Sequence, residues 1–323
     1  MTAAGRPLVV STSPLPGPWL EGLAEDFELR VLEGDTPPEH LREELREAEA
    51  LISLLSDSVD AQLLAAAPKL KIVANYAVGI DNVDRAAAAA RGIVVTNTPG
   101  VLTDATADLA IAMLLALARR LREGDRLVRA GGFAGWRPDL LLGMELKGKT
   151  LGIVGPGRIG KATARRAKAF GMNVVAWGRS NRDESDPNDP VRVSFDELLR
   201  RSDVVSIHLP LTRETRHIIS TEVFAKMKPG SFLLNTARGP LVDEMALCRA
   251  LDEERIAGAG LDVFENEPIV SPALLDDERV LLMPHAGSAT VEARREMARM
   301  VCEDVRRVLG GERPLRAAPP ERA

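Results

Sequence analysis

Short apolar runs rich in β-forming residues alternate with helical patterns along almost the whole of this chain. Such alternation requires parallel strands whose connecting helices pack on both faces of a sheet. About ten runs are present, and one open sheet rarely holds that many strands, so we predict an α/β protein with two doubly wound parallel sheets. The runs are PLVVST, ALISLL, KIVANY, GIVVTN, TLGIVG, NVVAWG, DVVSIHL, SFLLNT, AGAGLDV and VLLMPH.

A long apolar helical pattern over residues 103–130 separates the first four runs from the rest. We interpret it as a crossing between two domains, because one sheet is complete before it and a new strand follows it. The final helical pattern, ATVEARREMARMVCEDVRRVLGG, returns to the first domain in this interpretation. The sequence thus predicts one domain from residues 1–102 and 287–323 and a second from residues 103–286.

The composition is that of a globular protein large enough for two hydrophobic cores. The 323 residues are 45% hydrophobic and 28% charged, and the net charge is -5. A sequence pI near 5.6 argues against a nucleic-acid-binding surface, which is normally basic.

The chain carries no sign of a membrane segment, a metal site or a disulfide framework. Its longest apolar run, Leu109 to Ala118, is too short to span a bilayer, and its start lacks an apolar signal segment. Cys248 and Cys302 lie in helical patterns without a CxxC pair or a nearby set of histidines. We therefore expect a cytoplasmic protein without a metal, nucleic-acid or membrane partner.

A glycine-rich turn, GPGRIG, lies between the apolar run TLGIV and a helical pattern. Strand before and helix after is the context that a dinucleotide-binding GxGxxG motif requires. Gly155 permits the tight turn, Gly157 lets the backbone approach a pyrophosphate, and Gly160 lets the helix pack closely on the strand.

The residues inside this turn predict an anion site at the start of the helix. The backbone amides of Arg158 and Ile159 open the helix, where unpaired donors and the helix dipole favour a phosphate. Pro156 has no N–H, so that position cannot donate.

The second strand of the motif, NVVAW, ends in Gly178, Arg179 and Ser180. A fold that uses NAD is expected to place an acid here for the ribose 2′-hydroxyl, whereas an arginine pairs with the 2′-phosphate of NADP. Gly178 leaves room, Arg179 supplies charge and Ser180 supplies a hydroxyl. The sequence therefore favours NADP(H), with NAD(H) as the alternative.

Three polar residues follow later apolar strands, at the edge where doubly wound sheets bind their ligands. They are Arg238 in NTARGPLVDE, Glu267 in DVFENEP and His285 in LMPHAG. Each residue alone fits a structural role, but together with a cofactor motif they indicate a catalytic set.

The sequence resembles the D-isomer-specific 2-hydroxyacid dehydrogenase family, and most closely its glyoxylate/hydroxypyruvate reductase branch. The resemblance covers nearly the whole chain. It rests on the strings ALISLLSDSVD, KIVANYAVGIDNVD, RGIVVTNTPGVLTDATADLA, GWRPDLLLG, TLGIVGPGRIGKA, HLPLTRETRHII, NTARGPLVDE, AGAGLDVFENEP and LMPHAGSAT.

The resemblance implies a role for each polar residue, in an active site in the cleft between two Rossmann-like domains. Arg238 would hold the substrate carboxylate and polarise its carbonyl, a task suited to a planar guanidinium. His285 would protonate the carbonyl oxygen while Glu267 keeps that proton available. The amides of Val78 and Gly79 would hold the carboxylate from the other domain.

The resemblance also implies further contacts. For the cofactor these are Thr106, Leu209, Pro210, Thr215, Thr236, Ala237, Arg238, Asp262, His285 and Gly287. From the residues themselves we interpret Leu54 and Leu55, with Leu140 to Leu142, as apolar walls that shorten the substrate pocket. The apolar helix from about Asp104 to Leu121 suggests a homodimer in which Leu140 reaches the partner's substrate pocket.

These observations predict an NADPH-preferring reductase of small 2-oxo acids, with glyoxylate and hydroxypyruvate as expected substrates. A phosphoglycerate-type dehydrogenase is one alternative, although those enzymes commonly prefer NAD. A dinucleotide-sensing corepressor of the same fold is another, since those proteins keep similar polar residues.

Overall fold

The computed structural model describes residues 5–34, 36–178 and 189–318. The chain divides into two units, which we call unit 1 (residues 1–102 and 289–323) and unit 2 (residues 103–288).

The described residues form twelve strands and twelve α-helices. The strands are β1 (Leu8–Ser11), β2 (Glu28–Val31), β3 (Ala48–Ser53), β4 (Ile72–Asn75), β5 (Val94–Thr96), β6 (Thr150–Val154), β7 (Asn173–Trp177), β8 (Val191–Arg192), β9 (Val204–Ile207), β10 (Ser231–Asn235), β11 (Ile256–Leu261) and β12 (Val280–Leu282). The helices are α1 (Trp19–Asp26), α2 (Pro38–Glu44), α3 (Ala61–Ala66), α4 (Arg85–Ala90), α5 (Thr103–Ala118), α6 (Leu121–Arg129), α7 (Arg158–Ala169), α8 (Phe195–Arg201), α9 (Thr221–Lys226), α10 (Glu244–Asp252), α11 (Pro272–Asp276) and α12 (Val291–Leu309).

Unit 1 contains a parallel five-stranded sheet in the order β2-β1-β3-β4-β5. Helix α12 belongs to this unit and packs against α1, β3 and β4. The segment after α12 runs antiparallel to β5, where the amide of Ala318 donates to the carbonyl of Val95 at 2.8 Å. The last described residues therefore lie beside the loop that follows β5.

Unit 2 contains a parallel seven-stranded sheet in the order β12-β11-β10-β9-β6-β7-β8. Both faces are apolar: along β10, Leu233 belongs to one buried cluster and the next residue, Leu234, to the other. This is the pattern of a sheet covered by helices on both sides. The strand order reverses beside β6, and ligands of doubly wound sheets bind at the carboxyl ends of the strands near such a point. The prediction of two doubly wound parallel-sheet α/β domains is confirmed.

Two strands, β2 and β8, are absent from the apolar runs of the sequence. Both lie at the edge of a sheet. The residues of β2 are mostly exposed, and β8 is only two residues long. Edge strands bury less side-chain surface, so they need no apolar run.

The helical pattern over residues 103–130 is not one helix. Helix α5 ends at Ala118, and Arg120 adopts a left-handed conformation with φ of 52° before α6 begins. Helix α6 has no buried residue. The prediction of a continuous helix was wrong because the left-handed residue Arg120 separates the end of α5 from the start of α6 at Leu121.

Within the described ranges, no helix is long and apolar enough to cross a bilayer. The same ranges contain no group of three or more His, Cys, Asp or Glu side chains arranged to hold a metal ion.

Candidate active site

The glycine-rich turn of unit 2 connects β6 to α7 through close backbone contacts. Gly155 has φ of 96°, and a Cβ added there would lie 2.9 Å from the backbone carbon of His208. A Cβ on Gly160 would lie 2.5 Å from the carbonyl oxygen of Gly155. Neither position accepts a side chain without movement of the backbone, so glycine at both positions allows the close packing of strand, turn and helix.

Gly157 differs from these two glycines, because a Cβ added there would meet no atom within 4 Å. It is the N-cap of α7, and Arg158 and Ile159 are the first residues of the helix. The first amides of a helix lack partners in a preceding turn and point outward along its axis. This open approach to free amides fits a dinucleotide pyrophosphate.

Gly178, at the end of β7, lies beside two side chains. A Cβ added there would lie 3.0 Å from Cδ of Pro156 and 3.1 Å from Nη1 of Arg192. Arg192 was not among the predicted site residues. Arg179 and Ser180, the predicted 2′-phosphate contacts, lie outside the described residues.

The side chains of His285 and Glu267 form a hydrogen-bonded pair beyond the ends of β12 and β11. Nδ1 of His285 lies 2.8 Å from Oε2 of Glu267, whose other oxygen accepts from the amide of Phe264 at 2.9 Å. An ionised carboxylate only accepts hydrogen bonds, so Nδ1 is the donor in this pair. The second ring nitrogen, Nε2, is therefore the one that can give a proton to a ligand.

Asp262, directly after β11, holds the backbone of the histidine turn. His285 has φ of 53°, an unusual conformation for a residue with a side chain. Its amide donates to the Asp262 carbonyl at 2.8 Å, and the amides of Ala286 and Gly287 donate to the Asp262 carboxylate at 2.6 and 2.8 Å. The hydroxyl of Thr106 donates to the Gly287 carbonyl at 3.0 Å. These four bonds fix the left-handed turn that presents His285.

Arg238 is held by a similar device at the end of β10. The Nδ2 group of Asn235 donates to the Arg238 carbonyl at 2.8 Å, and the amide of Ala237 donates to Oδ1 of Asn235 at 3.1 Å. A Cβ on Gly239 would lie 1.8 Å from the carbonyl oxygen of Phe264, so the Arg238 and Glu267 loops touch. Asn235, which holds the backbone at Arg238, was not among the predicted site residues, although its place at a strand end was visible.

Burial and neighbouring charges shift the pKa values of several side chains at the carboxyl edge of the unit 2 sheet. Burial alone would raise the pKa of Glu267, but the hydrogen bond and charge of His285, with the Phe264 amide and Arg238, outweigh it and hold the pKa below its usual value. Burial raises the pKa of Asp262 against the opposing effect of its backbone amide donors. Burial also lowers the pKa of His208, beside the glycine-rich turn, to about 4. At pH 7 the His208 ring is therefore neutral in the absence of a ligand.

The other predicted cofactor contacts lie at the same carboxyl edge of the unit 2 sheet. A side-chain carbon of Leu209 would lie 2.9 Å from a Cβ on Gly155, and the hydroxyl of Thr215 donates to the Pro210 carbonyl at 2.8 Å. The buried hydroxyl of Thr236 has no hydrogen-bond partner among the described residues. An unsatisfied buried hydroxyl is costly in a protein alone, and it fits a site completed by a polar ligand such as a nicotinamide dinucleotide.

Unit 1 places the predicted substrate residues Leu54, Val78 and Gly79 after β3 and β4. The Nδ2 group of Asn82 donates to the Leu54 carbonyl at 3.0 Å, and that of Asn75 donates to the Gly79 carbonyl at 2.8 Å. Two side-chain amides that were not predicted thus hold the two loops.

Leu140, the predicted contact to a partner's pocket, lies after α6 in a turn of unit 2. Its amide donates to the Arg137 carbonyl at 3.2 Å, and its side chain is partly exposed. Leu141, beside it, has φ of 53° and packs near Gly124 of α6.

Comparison with known proteins identifies the family. A family model described as D-isomer specific 2-hydroxyacid dehydrogenase, NAD binding domain, matches residues 111–287. A glyoxylate reductase of Thermococcus litoralis is 48% identical over 316 residues, which cover 96% of each chain. A glyoxylate reductase of Korarchaeum cryptofilum is 49% identical over 314 residues, covering 96% of this chain and 95% of the relative.

A solved structure is also similar to this chain over nearly its whole length. An NADPH-dependent glyoxylate/hydroxypyruvate reductase from Sinorhizobium meliloti, in complex with NADP and malonate, has a TM-score of 0.89 and is 36% identical. The match covers 99% of this chain and 100% of that structure. This chain therefore belongs to the D-isomer specific 2-hydroxyacid dehydrogenases, a family of NAD(P)-dependent oxidoreductases, on their glyoxylate reductase branch.

Proposed function

We propose that this chain is an NADPH-preferring reductase that converts glyoxylate, hydroxypyruvate or both to glycolate or D-glycerate. The observation that carries the proposal is the 2.8 Å pair between His285 and Glu267, with the charge of Arg238 acting on the same carboxylate. An acid, its partner and a carboxylate-binding cation are the groups that reduction of a 2-oxo acid needs.

Each group has a separate task in this mechanism. The guanidinium of Arg238 binds the substrate carboxylate and polarises the neighbouring carbonyl. The nicotinamide, when bound, supplies a hydride to the carbonyl carbon. Nε2 of His285 gives its proton to the carbonyl oxygen, so the product is a neutral hydroxyl beside the carboxylate. Glu267 orients the ring through Nδ1 and stabilises its protonated form.

The NADPH preference rests on the end of β7. Gly178 carries no side chain that would compete for the ribose, and the sequence continues with Arg179 and Ser180 instead of an acid. The related reductase of Sinorhizobium meliloti is described as NADPH-dependent, which supports the same preference here.

The small substrate is supported by the relatives, which are named as glyoxylate reductases. In this proposal Leu54 and Leu140 are the apolar walls that exclude longer 2-oxo acids, and the amides of Val78 and Gly79 bind the carboxylate.

We also propose a homodimer, formed through the segment from α6 to residue 142. Seven of the 16 residues of α5 are buried inside unit 2, including Ile111, Met113 and Leu114, and its exposed residues are only Asp104, Asp108 and Ala112, so α5 alone is not the apolar surface that the sequence suggested. The exposed large apolar side chains of this segment are Leu121, Val128, Phe133, Trp136 and Leu142. Such a concentration of apolar surface is typical of an interface, and a second copy of this chain is the partner we propose. Light scattering at micromolar concentration should give the mass of a dimer.

Steady-state assays test the function directly. We expect turnover of glyoxylate and hydroxypyruvate with NADPH, at higher kcat/KM than with NADH or with longer 2-oxo acids. A preference for NADH and phosphorylated substrates would favour the phosphoglycerate-type alternative. Cofactor binding without turnover of any 2-oxo acid would favour the corepressor alternative.

A further inference from the structure

The dipeptide Asn97-Thr98 contacts the two peptide groups that contain the Val78 and Gly79 N–H groups. The amide of Thr98 donates to the Ala77 carbonyl at 2.9 Å. The side-chain Nδ2 of Asn97 donates to the Val78 carbonyl at 2.8 Å. Both donors come from the loop after β5, so the carbonyls of Ala77 and Val78 both face that loop.

These two bonds fix the direction of the neighbouring N–H groups. In a planar trans peptide the carbonyl of one residue and the N–H of the next point in opposite directions. Because the Ala77 carbonyl faces residues 97–98, the Val78 N–H points away from them, and the same holds for the Gly79 N–H. Two consecutive N–H groups that point the same way form a concave donor pair of the kind that binds anions.

Both amides are available for a ligand. Within the described residues of unit 1, neither the Val78 nor the Gly79 amide donates to another group, and both residues are partly exposed. The next peptide is fixed as well, since Asn75 donates to the Gly79 carbonyl.

The loop that carries Asn97 is itself held in place. The backbone amide of Asn97 donates to the Arg316 carbonyl at 3.3 Å. Arg316 in turn bonds to Glu303 and, through Nη1, lies 3.2 Å from Oδ2 of the buried Asp304 on α12. The donor position of Asn97 is thus set by α12 and the segment after it.

We infer that Asn97 is a positioning residue for substrate binding: its side-chain amide orients the Val78–Gly79 peptide so that two N–H groups converge on the substrate carboxylate. The inference rests on the proposed function, which assigns that carboxylate to Val78 and Gly79. In this role Asn97 acts through the Val78 carbonyl, to which its side-chain amide donates. Its effect is therefore on substrate affinity and on the discrimination between charged and uncharged ligands.

The test measures binding of oxamate, an unreactive carboxylate analogue of a 2-oxo acid, to enzyme saturated with NADPH. Asn97→Ala should weaken oxamate about 10- to 100-fold, the range expected when charge-assisted hydrogen bonds lose their geometry. The Kd of NADPH should stay within about 2-fold, and KM for glyoxylate should rise by the same factor as the oxamate Kd, with a smaller change in kcat. Asn97→Leu, which keeps the branched shape without a donor, should behave alike if Asn97→Ala proves unstable.

Asn173→Ala is the matched control, since Asn173 also donates from Nδ2 to a loop carbonyl, that of Gly148 at 3.1 Å, in unit 2. It should lower stability to a similar degree without changing oxamate affinity. KM for glycolaldehyde, which has no carboxylate, should be unchanged by Asn97→Ala.

The outcomes separate this inference from the proposed function. Unchanged oxamate affinity in both Asn97 variants, or an equal loss for glycolaldehyde and glyoxylate, would overturn the positioning role. Failure of the wild-type protein to bind oxamate would overturn the carboxylate site at Val78 and Gly79 altogether. Normal oxamate binding that depends on Asn97, without turnover of any 2-oxo acid, would reject the proposed reaction and keep the positioning role.

Discussion

The loop edges of the two sheets are built from different chemistry. In unit 2 the histidine turn is organised by ionisable side chains, with Asp262 holding its backbone and Glu267 paired with His285, while Asn235 holds the backbone at Arg238. In unit 1 the corresponding loops are held mainly by neutral side-chain amides, those of Asn75, Asn82 and Asn97.

The difference follows from what each edge has to do. Proton transfer requires a group that changes charge, and the groups around it must favour one protonation state. Presenting backbone N–H groups to a carboxylate requires only fixed peptide planes, and an amide side chain provides this at every working pH. Changes to the His285–Glu267 pair in unit 2 should therefore alter pH dependence and chemistry, while changes to the asparagines that hold the unit 1 loops should act mainly on substrate affinity.

The largest effect is expected at His285. His285→Asn should lower kcat for glyoxylate reduction by about 10²- to 10⁴-fold, because the proton donor is lost while the cofactor contacts remain. Rapid-mixing and steady-state kinetics measure kcat, and fluorescence titration measures the NADPH Kd, which should stay near that of the wild type. A normal kcat would remove His285 from the chemistry and erase the contrast with unit 1.

The next effect concerns cofactor choice, which we assign to unit 2 only. Arg179→Ala should raise the Kd of NADPH by roughly 10- to 100-fold, because a charge-assisted bond to the 2′-phosphate is lost, while NADH binding hardly changes. Arg201→Ala is the control, since Arg201 on α8 pairs with Glu197 on the surface. Equal damage to both cofactors by Arg179→Ala would contradict the assignment.

A smaller effect is a shift in pH dependence. The pKa of Glu267 is held below its usual value, so a negative charge faces the His285 ring at neutral pH. Glu267→Gln removes that charge and makes the protonated ring less favourable, so the high-pH decline of the reduction rate should move to lower pH.

The control for this shift lies in the same loop. Glu265 accepts a hydrogen bond from Nε2 of a different histidine, His217, at 2.6 Å. Glu265→Gln should leave the pH–rate profile in place, and so should Asn97→Ala in unit 1. A shift of equal size in either control would mean that the profile reports general damage.

The smallest effect compares two buried threonines whose hydroxyls have no partner among the described residues, Thr96 in unit 1 and Thr236 in unit 2. Replacing either with Val removes an unsatisfied group, so thermal unfolding without cofactor should show about 1 kcal/mol of added stability. Only Thr236→Val should weaken the cofactor, by roughly 2- to 10-fold, because that hydroxyl is proposed to bind it. An equal cofactor effect of Thr96→Val would remove the distinction.

The sequence allowed most of the fold to be predicted, and the exceptions have two causes. Ten strands carry apolar runs, including the edge strands β5 and β12, whereas the edge strand β2 is mostly exposed and the edge strand β8 has only two residues, so no such pattern marks them. The helical pattern beyond Ala118 continued into residues that form a separate helix, because local periodicity does not report a left-handed residue such as Arg120.

The site divides along the same line. The sequence by itself determined the glycine-rich turn and marked Arg238, Glu267 and His285 as the candidate catalytic set, because the chemistry of a ligand site restricts residue type and place on a strand end. Only the tertiary structure decided which side chains hold the loops of the candidate site. Asn97 donates to the Val78 carbonyl and Asn235 donates to the Arg238 carbonyl, and both hydrogen bonds depend on strand neighbours and loop conformation. An asparagine after a strand has the same local sequence preferences whether it faces water or a loop carbonyl, and its partner is fixed only when the sheet brings distant segments side by side.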